Sequence, residues 1–257
     1  MVKGLYAAYT GMVNQQKRMD VLTNNLANAS TIGYKKEGAT SQSFDSVLAY
    51  KLKDASTPGT AQRIGTMNLG VKVGENYTDW SQGAFEVTDN TYDLALSGDG
   101  FFAVEFTNKA GETSTKYTRD GSFTLDVRGN LVTSDGDYVL DTNGRRITLD
   151  PLAEAAISYD GSISQNGRVI AQIQVADFED YNYLEHYGEN YYQPVEGAQF
   201  ANSEAAVYSG YLEASNVETV SEMVDMITVS RDYESNQKVL TTIDGTLDIA
   251  ANQIGRV

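Results

Sequence analysis

The chain has no cysteine and a single histidine, His186. Without Cys there is no disulfide framework, thiolate metal site or Cys nucleophile, and one His excludes three-histidine and Cys/His metal centres by count. No run approaches the roughly 18 apolar residues that a membrane span requires. At the N-terminus, Lys3 is followed by only a brief apolar stretch before Asn14, Gln15, Gln16, Lys17 and Arg18, which is not a cleavable signal pattern. Basic residues are scarce: 19 Lys and Arg stand against 35 Asp and Glu, for a net charge of −16. Such a surface repels phosphate backbones and anionic lipid, which argues against nucleic-acid binding and membrane attachment. A chain without thiols also suits a protein that travels unfolded or works outside the cytoplasm.

What the sequence does have is a matching apolar stripe at each end. Leu5, Ala8, Met12, Gln15, Met19, Leu22, Leu26 and Ala29 alternate by three and four, and so do Met226, Val229, Tyr233, Asn236, Leu240, Ile243, Leu247, Ala250 and Ile254. At 41% apolar content, chance fills roughly three of eight and four of nine such positions, whereas seven and eight are filled. Both ends therefore read as helices with a coiled-coil seam, each the other's natural partner. Residues 1–53 carry seven Lys and Arg against three Asp and Glu, and residues 217–257 carry three against seven, so the arms have opposite sign.

Between the arms the period changes. The first helix is expected to stop at Ser30 to Gly33, and Phe44, Val47, Leu48 and Leu52 suggest a short amphipathic helix. The stretch from Thr66 to Val87 reads as an extended connector. From Tyr92 the alternation is that of strands, with turn pairs at Asp99-Gly100, Asp120-Gly121, Asp135-Gly136, Asn143-Gly144, Asp160-Gly161 and Asn166-Gly167, the spacing of antiparallel hairpins. One long strand is expected over Val169 to Phe178, and Ser215 or Asn216 as the cap of the last helix. The fold class is α+β, with terminal helices paired as a discontinuous coiled-coil-like domain (1–33 and 215–257), extended connectors (34–89 and 200–214) and a central antiparallel β-domain (90–199).

Chemistry is sparse. His186 has Glu185 beside it, but no nucleophile-elbow pattern surrounds any serine. The carboxylates at Asp135 and Asp137, and at Asp177, Glu179 and Asp180, lack calcium-loop spacing and read as turn chemistry. Gly98 and Gly100 lead into a strand, so a nucleotide loop fails on context. Seventeen tyrosines against eight phenylalanines suit surfaces that become interfaces. A secreted β-rich carbohydrate-binding or adhesin-like protein and a two-carboxylate glycosidase remain open beside an assembly protein.

Three blocks of residues carry a resemblance. Asp20-Val21-Leu22-Thr23-Asn24-Asn25-Leu26-Ala27-Asn28, followed by Thr31, Gly33, Tyr34, Lys35 and Lys36, resembles the N-terminal signature of bacterial flagellar axial proteins. Ser97 to Phe102 and Tyr117 to Phe123 are similar to the central motifs of the flagellar rod and hook-basal-body family, and Gly210 to Val217 with Met223 to Ile227 and Arg231 to Glu234 to its C-terminal signature. Within the family the Tyr117 block leans towards the distal rod component, with the proximal one close behind. The resemblance implies a structural subunit of the basal-body rod, with no enzymatic activity, cofactor or metal. Copies would stack helically into a hollow torque-transmitting shaft, alongside other rod and hook proteins. Export by the flagellar type III apparatus, with no cleaved signal peptide, would place it outside the cytoplasmic membrane.

On that basis the expected subunit-interface residues are Leu5, Met12, Met19, Leu22, Asn24, Asn25, Leu26, Asn28, Met226, Val229, Tyr233, Asn236, Leu240, Ile243, Leu247 and Ile254. Asn236 occupies a seam position outright, where a buried amide restricts register at some cost in stability. Asn28 suits helix-end capping. The arms are expected to stay largely disordered until assembly buries them.

Overall fold

The computed structural model describes residues 2–51, 62–108, 111–188 and 190–254. Helix α1 spans Val2–Ala27 and helix α2 spans Thr219–Ile249, continued by a π-helical turn over Ala250–Ile254. Every strand pairing among the described residues is antiparallel, and the fold is α+β with a central β-rich region. The chain divides into two compact units. The first comprises 1–27, 37–79 and 218–257; the second comprises 28–36 and 80–217.

In the first unit the residues between 37 and 79 form two strand pairs, Glu37–Ser43 with Val71–Thr78 and Val47–Lys51 with Gln62–Met67. The amphipathic helix expected around Phe44 and Val47 is therefore a strand; Leu52 lies outside the described residues. A few apolar residues at mixed spacing satisfy either period, and ladder hydrogen bonds with a distant partner decide. The final helix is capped differently too. Its N-cap is Glu218, with no side-chain cap bond. Ser215 Oγ accepts from Val217 N instead, and Asn216 is bonded to Lys36 N and Ser81.

The second unit is built on a nine-stranded sheet. Its main path runs Leu184–Tyr187, Tyr191–Pro194, Thr113–Thr118, Phe101–Thr107, Tyr138–Val139, Leu131–Thr133 and Phe123–Leu125. Phe101–Thr107 is central, and its residues 101–104 are all buried. One face supplies Phe102 and Val104 to a core with Leu94, Leu96, Phe123, Leu131, Ile163 and Val207. The other supplies Phe101 and Ala103 to a cluster with Tyr117, Phe178 and Tyr192, against which Trp80 packs. That alternation is the period-two signature of a strand buried on both faces.

The turn pairs do what their chemistry allows. Asn166 and Gly167 both have positive φ, 51° and 74°, and close the hairpin of Ser162–Gln165 with Arg168–Gln172. The strand expected over 169–178 is broken at Ile173. Residues 168–172 stay with that hairpin, whereas Val175–Phe178 pairs with Phe101–Thr107 and Phe200–Ala201. Ile173 is buried and donates its N–H to Gly161 O, which turns the chain from one sheet to the other.

Gly121 shows how tightly the unit is packed. Leu94 N donates to Gly121 O, and a Cβ at residue 121 would fall 1.7 Å from Leu94 O. Because the obstacle is backbone, Gly121→Ala is expected to destabilise the unit by about 3 kcal/mol or more, read as a lowered denaturant midpoint of Trp80 fluorescence.

Candidate functional site

The helical unit brings the two ends of the chain together. A Cβ at Gly4 would stand 3.6 Å from Ile243 Cδ1, and one at Gly11 would stand 3.1 Å from Asn236 Nδ2. Gln15 Nε2 donates to Asp232 Oδ2 at 3.2 Å and Asn25 Nδ2 to Glu222 Oε2 at 3.1 Å. Each step forward on α1 is matched by an equal step back on α2, so the helices run antiparallel in one register. Glycine at 4 and 11 costs α1 about 1 kcal/mol each relative to alanine. At Gly11 it makes room for Asn236, whereas a methyl at residue 4 would meet Ile243 at ordinary contact distance.

The stripe residues lie along this pairing. Ala8 and Val229 are buried, and Leu5, Met12, Gln15, Met19, Leu22, Leu26, Met226, Tyr233, Asn236, Leu240 and Ile243 are half-buried. Continued, the register sets Val2 opposite Gly245. Leu247 therefore lies past the start of α1 and is exposed, and Ile254 is in the terminal π turn with its side chain outside the described set. Asn24 is exposed. Asn25 is fully buried and does two jobs: its Nδ2 donates to Glu37 O and Glu222 while its Oδ1 accepts from Glu37 N, which fastens α1 to the strand Glu37–Ser43. Asn28 follows the end of α1, where its Oδ1 accepts from Thr31 Oγ1.

The surface of this unit presents a different set of apolar residues. Val220, Met223, Val224 and Ile227 are 66%, 53%, 56% and 54% exposed. Their i, i+3, i+4, i+7 spacing makes one face of α2, roughly 150° round the helix from the seam. On α1, Tyr6, Tyr9 and Val13 are exposed. Beside them lies an apolar cleft of about 490 Å³ lined by Tyr9, Val13, Val21, Phe44, Val71 and Val73. Neither face was singled out by the heptad analysis, although the α2 pattern is legible in the sequence as a second, shorter stripe.

The β unit holds a buried ionic node that the sequence reading also missed. Glu213 is fully buried; its Oε1 accepts from Lys35 Nζ at 2.5 Å and from Gly83 N at 2.9 Å, and its Oε2 from Arg119 Nη1 at 3.3 Å. Lys35 also donates to Ser81 O and Arg119 to Gly98 O, while Arg119 Nε is buried without a hydrogen-bond partner. Gly33 N donates to Glu213 O and Lys36 N to Asn216 Oδ1. Gly33 has φ +68°, and a Cβ there would lie 2.5 Å from Asp120 N. The three blocks quoted above thus meet at one place, since Lys35, Arg119 and Glu213 come one from each. Their presence in the motifs was the available signal; their burial was not readable.

Among the described residues of the β unit, the polar groups the sequence pointed to serve packing and turns. His186 sits edge-on to Tyr192 at 5.2 Å in the strand Leu184–Tyr187. Tyr191 donates to Asp137 at 2.8 Å; burial, then the neighbouring carboxylates, push its phenol pKa up, so it stays a protonated donor. Burial also raises Asp120, which accepts from Ser122 N and Oγ. Asp180 accepts from Asn182 N and Asp177 from Tyr181, as turn and tether carboxylates do. Among the described residues no cluster of His, Asp or Glu could hold a metal ion, and no helix is long and apolar enough to cross a membrane.

Comparison with known proteins agrees with the geometry. Three family models match: "Flagella basal body rod protein" over 5–35, "Flagellar hook protein FlgE/F/G D1 domain" over 95–171, and "Flagellar basal body rod FlgEFG protein C-terminal" over 208–254. The flagellar basal-body rod protein FlgG of Bacillus subtilis is 34% identical over 98% of this chain and 99% of its own. The chain belongs to the flagellar basal-body rod protein family. FlgF of Caulobacter vibrioides is also 34% identical, over 100% of this chain and 98% of its own, and the hook-basal body complex protein FlhO of B. subtilis is 33% identical end to end. Relatives with three different names match equally well, so the assignment is to the family. As a member, the chain is a structural component of the flagellar basal body, not an enzyme. The family models fall on the helical pair and the node-bearing segments alike.

Proposed function

We propose that this chain polymerises with its own copies, and with other rod and hook proteins, into the hollow torque-transmitting shaft of the basal body. It reaches that place outside the cytoplasmic membrane through the flagellar type III apparatus, as an unfolded chain. The terminal helices form the assembly domain as a coiled-coil-like pair.

The observation that carries this reading is the pair of unlike apolar surfaces on one helical unit. The α2 face is convex, and the cleft beside α1 is concave. A contact between the ridge of one copy and the cleft of the next is heterologous, and such a contact repeats into an open helix unless its rotation closes a ring. The seam residues are spent largely within the chain, so in this scheme they act by holding both surfaces in place rather than by touching a neighbour. The segment 217–230 exposes Glu218 and Asp225 without a single Lys or Arg, whereas α1 carries Lys3, Lys17 and Arg18 against Asp20. Opposite sign favours ridge-to-α1 approach and suppresses ridge-to-ridge pairing.

The test is a double replacement, Val224→Asp with Ile227→Asp. At exposed positions the helix content and melting of the purified subunit should change by no more than about 0.5 kcal/mol. Incorporation into basal bodies and swimming should nevertheless be lost. Normal motility from this variant would remove the ridge from the interface.

A further inference from the structure

We infer that the β unit closes only when the segment 206–217 joins it, with Glu213 as the counter-charge placed last. The chain therefore stays open over most of its length until both passages through 28–36 and 206–217 lie on the same side of any channel. This last consequence rests on the export reading above; the order of folding does not.

Three features of the β unit point the same way. First, Lys35 and Arg119 are buried, 1% and 4% exposed, and share the Glu213 carboxylate. Before Glu213 arrives, closing the unit would take both cations out of water without that common partner, which strongly opposes closure. Second, two early strands find their partners late. Leu94–Ser97 pairs with Ala206–Ser209, and Phe85–Val87 pairs with Tyr211–Glu213. Leu94, Ala95 and Leu96 are fully buried, so without those partners their ladder groups would be sequestered unpaired. Third, Val207, 1% exposed, is itself part of the core around Leu94, Leu96 and Phe102. Pairings that span more than a hundred residues form against a large loop-closure entropy and belong to the late, rate-limiting part of folding.

Hydrogen bonds then fix the closed state around the late segment. Gly33 N donates to Glu213 O, Ala214 N to Ala84 O, and Asn216 Nδ2 to Ser81 O at 3.1 Å. The segments near 33 and 83 are thus held to residues 213–216, which come late in the chain. A subunit lacking its last fifth has the hairpins but not the lock.

The experiment is stopped-flow refolding of the full-length chain, followed by its single tryptophan. Trp80 sits 4.9 Å from Tyr192, 5.2 Å from Tyr181 and 5.5 Å from Phe101, so its emission reports closure of this unit. Val207→Ala and Glu213→Gln should slow refolding, Glu213→Gln on the order of tenfold, with little change in unfolding rate. Unchanged refolding of Val207→Ala and Glu213→Gln, with the whole loss in the unfolding rate, would overturn the inference. A Glu213→Gln chain that never regains the Trp80 signal supports the lock, and Val207→Ala then decides the order of events. Because the purified chain is used, these rates stand apart from the export reading, which is checked separately by the amount of wild-type subunit found beyond the cytoplasmic membrane.

Discussion

Lys35→Met is expected to destabilise the β unit by about 3–5 kcal/mol, seen as a lower denaturant midpoint of the Trp80 signal. The methionine keeps the volume of the side chain, so the loss is electrostatic. It leaves Glu213, fully buried, facing Arg119 at 3.3 Å and removes the bond to Ser81 O. Buried ionic groups differ from surface ones in that breaking a network costs far more than replacing it entirely. The triple replacement of Lys35, Arg119 and Glu213 by Met, Leu and Leu should therefore recover much of the loss, apart from the bond that Gly83 N gives to Glu213. If Lys35→Met melts like the wild type, the node is a bystander in stability. If the triple variant is no better than the single one, its hydrogen bonds to backbone matter more than its charges.

Val229→Asp should have a comparable effect on the other unit. Val229 is 2% exposed on α2, facing the pairing with α1. An aspartate there either remains charged and unpaired or separates the helices, at a cost of about 3–5 kcal/mol. The expected result is loss of helical circular dichroism at a temperature where the wild type keeps it, with Trp80 emission unaffected if the β unit folds without the helices. The contrast with Ile227→Asp, two residues away and 54% exposed, separates the two roles of α2. One variant should fail as a monomer, the other only as part of an assembly. Equal behaviour of the two would mean that the seam and the ridge are not distinct surfaces.

The heptad stripes were legible because a helix repeats every few residues, so its buried side is written locally. The stripe at Ala8, Met12, Val229 and Leu240 needed no knowledge of a partner to be seen. The turns were legible for the same reason, since Asn166-Gly167 supplies two positive φ values wherever the chain goes. Strand identity around Val47 was not, because a five-residue strand shows too few periods and its partner at Gln62–Met67 lies across residues with no pattern of their own. The break at Ile173 was hidden inside a run that alternates correctly on both sides of it; only the change of neighbouring sheet reveals it.

The interface residues divide along the same line. The stripes read from the sequence as each other's partners and as surfaces for neighbours; in the structure Leu22 and Leu240 are half-buried at opposite ends of the α1–α2 pairing within one chain. Val220, Met223, Val224 and Ile227 carry the same helical spacing and face outward, a distinction that depends on where α1 lies and not on the residues themselves. By itself, then, the sequence determined the terminal helices, several turns, the α+β class and, through three ordered motifs, the family. The tertiary structure alone decided which apolar stripe is spent internally and which charges are buried, because Lys35, Arg119 and Glu213 look like ordinary surface charges until segments far apart in the chain exclude water from them together.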